Sequence, residues 1–376
     1  MESKKSAMRI EDVNIEARLK KDASNIFYKN LVTYILLSIF GLSMFVPFLW
    51  MVSTSLKDTG AIFSFPPRWI PSETRYYLDE GDERVEIRPL GSVSDGNVKI
   101  KVISGPESDR ILTVPVGSIK REWKLNIVWS NYIRAWKAIP FGRGYVNSLI
   151  LTLCVTIGQV VTSSMAAYAF ARLQFPFRDQ LFLGYLSTLM IPAVVTLIPV
   201  FILFKVMPDF FNAVFHTTFF TNDLYVGKFY VGKPIGIDSY FALIMPGLFT
   251  AYGTFMLRQF FMGIPVDLED AAKIDGCSLF GIYLRIILPL SKPALATLVT
   301  FTFMGQWKNF MWPLIVANSQ EMMPLPVLLA AFKGLYSTDW SLLMAGGIIV
   351  LVPMIVVFVT CQKYFVEGIQ LGALKG

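Results

Sequence analysis

IPVDLEDAAKIDGCSLFGIYLRIILPLSKPALATL, residues 264–298, is a polar, helix-forming stretch set between two hydrophobic runs. Its middle combines small residues, Ala271, Ala272 and Gly276, with the acids Glu269, Asp270 and Asp275. Small side chains let a cleft in another protein close around a helix, and the acids bias which cleft fits. A membrane protein carries such a segment where it must offer a shaped surface to a soluble partner.

The flanking runs make this a membrane protein. Residues 30–56, 144–171, 180–204, 239–257 and 340–362 contain no Asp, Glu, Lys or Arg, and 293–316 contains only Lys308. Each reaches or approaches the roughly 20 residues that cross about 30 Å of hydrocarbon as a helix. With 54% hydrophobic and 16% charged residues among 376, the chain is too apolar for a soluble globular protein. Six spans are expected, and Pro47, Pro192, Pro199, Pro246 and Pro353 do not argue against them, because neighbouring helices and hydroxyls satisfy freed backbone groups.

Lys and Arg set the orientation. The first tail holds Lys4, Lys5, Arg9, Arg18, Lys20, Lys21 and Lys29; alternate loops hold Arg172, Arg178, Arg258, Lys273, Arg285 and Lys292; the last tail holds Lys363 and Lys375. The other two short loops hold only Lys205, Lys228, Lys233 and Lys333. Both termini and the 264–298 stretch are therefore expected in the cytoplasm. This signal accounts for the net charge of +7, and acids interleaved in the first tail argue against nucleic acid and for a helix at the membrane surface. No cleavable signal peptide is evident. Cys154, Cys277 and Cys361 have no metal or redox spacing.

The stretch closely resembles the EAA loop of ABC importer permeases, the helix that docks into a nucleotide-binding subunit. The matching residues are Asp270-Ala271-Ala272, Asp275-Gly276 and Ile286-Ile287-Leu288-Pro289. Asp270 stands where the family usually has Glu, keeping the charge and shortening the reach by one methylene. Pro66-Pro67-Arg68-Trp69, Asn131-Tyr132 and Ile139-Pro140-Phe141-Gly142-Arg143 are similar to carbohydrate permeases of the maltose type. The resemblance covers nearly all of 27–72 and 125–376.

It implies an all-α membrane protein of six transmembrane helices in a prokaryotic inner (plasma) membrane. The implied order is a tail at 1–30, a first span at 31–56, an extracytoplasmic loop at 57–143, a permease core at 144–366 with the coupling loop at 263–292, and a tail at 367–376. It implies import of a sugar or oligosaccharide delivered by an extracytoplasmic binding protein, beside a second permease subunit and two ATP-binding subunits that hold ATP and Mg. Glu269, Asp270, Ala271, Ala272, Asp275, Gly276 and Pro289 would couple to the ATPase. The 317–339 loop would probe the binding protein, and the glycine-rich end at 368–376 would reach between the ATPase subunits.

Residues 73–124 lie outside that pattern. Val85-Glu86-Ile87-Arg88, Val98-Lys99-Ile100-Lys101-Val102 and Ile111-Leu112-Thr113-Val114 alternate with period two between the turn formers Gly81-Asp82, Asp95-Gly96-Asn97 and Ser104-Gly105-Pro106. A three-strand meander is expected as a small β-rich insertion. A lone sheet of that size is marginal, so it should pack against something, and contact with the binding protein or the partner permease is the functional expectation.

Lys308 is the one ionisable residue well inside an expected span, about fifteen residues or roughly 22 Å from Pro293. Intramembrane charge is a functional candidate by default. Gln306, Trp307, Lys308 and Asn309 are thus candidate lining of a translocation path, alongside the reading that Lys308 snorkels or pairs with a partner's carboxylate. Related permeases usually show Trp-Asn here. A cation beside Trp307 would suit a sugar bearing a carboxylate. His216 lacks ligand-like partners and is expected to be interfacial. No GxxxxGK[ST], HExxH, GxSxG or CxxC occurs, so ATP hydrolysis is expected in another subunit and no cofactor in this one. An ion-coupled secondary transporter is the alternative; it would want buried acids, and no Asp or Glu lies within any expected span. A membrane sensor or scaffold would not need the coupling stretch.

Overall fold

The first apolar run extends the helix begun in the N-terminal tail: in the computed structural model α1 (Glu2–Ser55) is a single helix of 54 residues. The structure describes the backbone of residues 2–63, 67–80, 83–90, 96–104, 109–334 and 338–373, and side chains within those from Tyr28 to Gln362, apart from Glu80 and Glu83. The basic side chains of the first tail up to Lys21, Lys363 and Lys375, the Gly81-Asp82, Asp95 and Gly105-Pro106 turn residues, Pro66, and the glycine-rich end as a docking peptide lie outside the described residues. The chain divides into two compact units, Met1–Val128 and Trp129–Gly376.

In the first unit, the apolar part of α1, Tyr28–Ser55, is 28 residues and about 42 Å long, more than the ~30 Å of hydrocarbon. The chain then enters β1 (Ser72–Glu80), β2 (Glu83–Pro89), β3 (Asn97–Val102), β4 (Ile111–Pro115) and β5 (Ile119–Leu125), all paired antiparallel in the order β4-β3-β2-β1-β5. Only the 3₁₀ turn Val116–Ser118 joins the two edge strands. Flat, the sheet would hold those edges about 19 Å apart at ~4.8 Å per strand. The four steps from Pro115 to Ile119 reach at most about 14 Å. The sheet must therefore curl into a partly closed barrel. Its interior holds Leu78, Val85, Ile87, Val98, Ile100 and Val102, with Ile100 fully buried. The insertion thus has its own core.

Five strands stand where three were expected. The two extra ones, SETRYYLDE and IKREWKL, are charged and aromatic rather than aliphatic, so their alternation is masked. Their polar side carries cross-strand ion pairs: Arg75–Glu86 (3.3 Å), Arg84–Glu122 and Lys120–Asp79.

The second unit opens with α2 (Ser130–Ala138) and α3 (Phe141–Arg172). The buried face of α3 carries Asn147, Ser148, Thr152, Thr156, Ser163 and Ser164, the small polar residues that let membrane helices approach closely. Then come α4 (Arg178–Ser187) and α5 (Ala193–Phe215). The apolar run 180–204 was expected to be one span, but it breaks at Ile191-Pro192. Proline offers no N–H and drives the preceding residue out of the helical region, and Ile191 has ψ 117°. The long helix accordingly starts 13 and ends 11 residues later than the expected span. It takes in Lys205 and Asp209, both exposed, so an acid does lie in a helix of spanning length. His216 caps α5 with φ 50°.

A hairpin, β6 (Leu224–Val226) and β7 (Phe229–Gly232), leads to α6 (Tyr240–Ile244), continued as a 3₁₀ turn to Gly247, and α7 (Ala251–Met262), the two limbs bent 41° across residues 248–250. A Cβ on Gly253 would stand 2.7 Å from Ser163 Oγ, so α7 lies so close to α3 that a larger residue would force Ser163 to move. Next come α8 (Asp267–Ile274), α9 (Leu279–Ile282), a π turn at Tyr283–Ile287 and α10 (Leu288–Leu290). The pair Leu279–Leu290 meets α11 (Lys292–Trp307) at 79°. α12 (Met311–Val316), α13 (Leu325–Leu329) and α14 (Trp340–Ala373) complete the unit. Among the described residues, four continuous helices are long and apolar enough to cross a membrane, and two bent pairs qualify jointly.

Candidate functional site

α8 forms where the 264–298 stretch is most polar. Asp267, Glu269 and Asp270 occupy its first turn and Lys273 its last, the charge order that suits the helix dipole. Gly276 ends it: at φ 77° it takes the left-handed position, and Cys277 N–H closes onto the Ala272 carbonyl at 2.9 Å.

The helix has two faces. Glu269 and Ala272 point into the bundle, while Asp270, Ala271, Ile274 and Asp275 are exposed. Ile274 is 87% exposed, an apolar residue left open beside a paired Asp270 and Lys273 (2.9 Å). Gly276 and Pro289 are exposed as well. Of the residues expected to couple, the structure thus brings Asp270, Ala271, Asp275 and Gly276 to one accessible surface, and turns Glu269 and Ala272 away from it.

Glu269 instead meets Arg172 at the end of α3. Nε stands 2.9 Å from Oε1, an ion-pair contact without hydrogen-bond angles, and both side chains are under a tenth exposed. The same guanidinium donates to the Phe261 and Ile264 carbonyls at the end of α7. One buried cation therefore ties α3, α7 and α8 together. Four residues earlier, Tyr168 donates to the Leu279 carbonyl at 3.1 Å. Four before that, Ser164 Oγ meets Tyr283 Oη at 2.7 Å. Ser164, Tyr168 and Arg172 thus form one stripe at i, i+4, i+8 that grips both limbs of the 264–298 segment. A serine, tyrosine and arginine at that spacing on the end of an apolar run is a legible signal that sequence reading passed over.

The four candidate path residues do not stay together. Trp307 is 1% exposed, stacked on Phe303 at 5.8 Å, with Nε1–H donating to the Val350 carbonyl at 2.9 Å. It packs as a core residue. The α11 helix ends at Trp307, and Lys308 takes the break before α12, exposed, where an unbroken span was expected. Asn309 donates to Gln306 at 3.3 Å.

At the other end of the bundle the 317–324 segment is held from several sides. The Asp238 carboxylate accepts from Asn318 N–H (2.8 Å), Ser319 N–H (3.0 Å), Ser319 Oγ (3.0 Å) and Tyr230 Oη (3.1 Å). Arg143 and Asn147 on α3 both donate to the Glu321 carbonyl at 2.7 Å. Burial first, then the Asp238 and Asp223 carboxylates, push the Tyr230 phenol above its ordinary range, so it remains a donor.

Residues 159–370 match the family described as binding-protein-dependent transport system inner membrane component. The chain is 34% identical over 234 residues to the arabinooligosaccharides transport system permease protein AraQ of Bacillus subtilis (strain 168), covering 62% of this chain and 74% of the relative. It is 30% identical over 253 residues to the sn-glycerol-3-phosphate transport system permease protein UgpE of Yersinia pestis bv. Antiqua (strain Antiqua), covering 64% and 79%. Its fold is similar to that of a chain in the crystal structure of a bacterial ABC transporter involved in the import of the acidic polysaccharide alginate, with TM-score 0.59, 19% identity, and 89% of this chain and 96% of that one covered. The α8 surface, the α3 stripe that grips it and more than half the chain's length fall inside the matched segment, and the chain belongs to the family of inner-membrane components of binding-protein-dependent transport systems.

Proposed function

We propose that this chain is the six-span permease subunit of an ATP-driven importer of a sugar or oligosaccharide, with both termini in the cytoplasm. The exposed face of α8, fastened from behind by Arg172 and Glu269, is the observation that carries the reading. Two ATP-binding subunits hold ATP and Mg and dock on Asp270, Ala271, Ile274 and Asp275. A binding protein delivers substrate at the opposite face, and a second permease subunit completes the path. When the ATPase dimer closes, α8 moves, and the Arg172 clamp passes the movement to α3 and α7. The docking free energy must differ between the two states of the bundle, because coupling shifts a population only by differential affinity. The similarity to permeases of an arabinooligosaccharide system and an sn-glycerol-3-phosphate system supports a sugar or sugar-like polyol as cargo.

With Cys154, Cys277 and Cys361 replaced by alanine, Ala271→Cys should crosslink to a cysteine in the ATPase subunit, and the crosslink should stop transport until reduced. Labelling of Ala271→Cys by an impermeant maleimide added outside intact cells would reject the reading.

Gln306, Lys308 and Asn309 remain the candidate path residues, and Lys308 favours an anionic cargo. Lys308→Asn should lower uptake of an acidic sugar about tenfold more than that of a neutral one, the scale of one charge-assisted hydrogen bond. Equal losses on both sugars would remove the idea.

A further inference from the structure

Helix α1 and the barrel are fastened by an aromatic and cationic stack. Ser53 Oγ in the last turns of α1 donates to the Trp69 carbonyl, and Lys57 Nζ donates to the Arg68 carbonyl at 2.6 Å. The Trp69 ring meets Trp50 at 5.2 Å, edge to face. The Arg68 guanidinium lies 4.0 Å over Trp123 on β5 and donates to Thr74 Oγ1 on β1. Val128 N–H closes onto the Leu56 carbonyl at 2.9 Å, so the end of β5 returns to the end of α1.

These bonds fix the depth of the barrel's base. Trp69 is level with Trp50 and Ser53, which belong to the helix that crosses the membrane. Leu125 is three residues, at most about 10 Å, from Val128, which is bonded to Leu56 just past the end of α1. On β5 the side that is interior at Ile119 continues through Arg121, Trp123 and Leu125 after the barrel has opened, and those residues are uncovered. Trp123 is 62% and Leu125 61% exposed, and Trp69 is 51% exposed. Phe48 and Leu49, on the adjoining turns of α1, are also open. The apolar surface is thus continuous from the membrane-crossing helix onto the barrel, rimmed by the cations Arg68 and Arg121.

We propose that this base is a phospholipid-binding face. Trp69, Trp123 and Leu125 lie in the headgroup–acyl boundary of the leaflet at the C-terminal end of α1, and Arg68 and Arg121 meet the phosphates of anionic lipid. Tryptophan favours that zone because one end of its ring system is apolar and the other donates a hydrogen bond, and juxtamembrane cations are drawn to anionic headgroups. The barrel then stands on the membrane instead of swinging from a tether, with its ion-paired side turned to solvent.

The test uses the full chain with its natural cysteines replaced, in nanodiscs of phosphatidylcholine with about a third phosphatidylglycerol, carrying a nitroxide on Leu125→Cys or, separately, Trp123→Cys. Lys99→Cys on β3 serves as the reference. The expected result is a several-fold higher ratio of oxygen to nickel-chelate collisions at 125 and 123 than at 99, falling when phosphatidylglycerol is omitted. Nickel access at 125 and 123 equal to that at 99 would overturn the proposal, as would low access of both reagents, which marks a protein cover. A ratio unchanged without phosphatidylglycerol would overturn the anionic-lipid part.

Discussion

Arg172→Ala is expected to stop coupled transport and to destabilise the bundle by about 3–5 kcal/mol, the cost of leaving one partner of a buried ion pair behind. The Glu269 carboxylate would remain under α8 with no cation, and the Phe261 and Ile264 carbonyls would lose their donor. Removing both charges is predicted to be milder than removing one. In Arg172→Met with Glu269→Leu no charge is stranded, and apolar pairs of similar volume replace buried ion pairs at little or no cost. Thermal unfolding of the assembled complex should therefore rank wild type and the double variant together, well above Arg172→Ala. ATP hydrolysis without binding protein should rise in the single variant, because α8 is no longer tied to α3. A double variant as labile as the single one would show that the carbonyl contacts, not the ion pair, hold the segment.

Trp307→Ala has the other large expected effect, about 3–5 kcal/mol, the usual cost of truncating a buried aromatic. The side chain fills the space between Phe303, Tyr145 and α14 and satisfies the Val350 carbonyl. Uptake of every substrate should fall together with the unfolding temperature. Trp307→Phe should retain most of the packing and lose chiefly the hydrogen bond, about 1–3 kcal/mol if the carbonyl stays dry. If Trp307 stacked on cargo, Trp307→Ala would lower uptake while leaving unfolding unchanged, and that outcome would restore it to the path.

The α8 helix was legible because its signal is local: acids in a first turn and a glycine stop lie within ten residues. The insertion was legible at its edges, expected at 73–124 and observed from Ser72 to Leu125. Its strand count was not, because β1 and β5 are held by cross-strand pairs that hydropathy does not register. The third long helix was misplaced because an apolar run carries no depth marker, and Pro192 set the break. Trp307 and Glu269 illustrate a further limit. Glu269 sits in a motif that reads as contact with a partner and Trp307 in one that reads as contact with cargo, yet helix phase decides which side each faces, and a shift of one or two residues in that phase turns an outward residue into a buried one.

The short closure at the foot of the barrel has a wider consequence. Asn126 N–H is already bonded to the Pro71 carbonyl at 3.1 Å, so everything between those residues leaves and re-enters the chain at one point. A domain grafted at such a junction imposes little loop-closure entropy on the helices it interrupts, since the two ends meet whether or not the graft is present. Excision of residues 72–125 should leave a seam, not a gap. The insertion is in that sense a detachable cassette, free to diverge or be exchanged while the transport machinery keeps its own geometry.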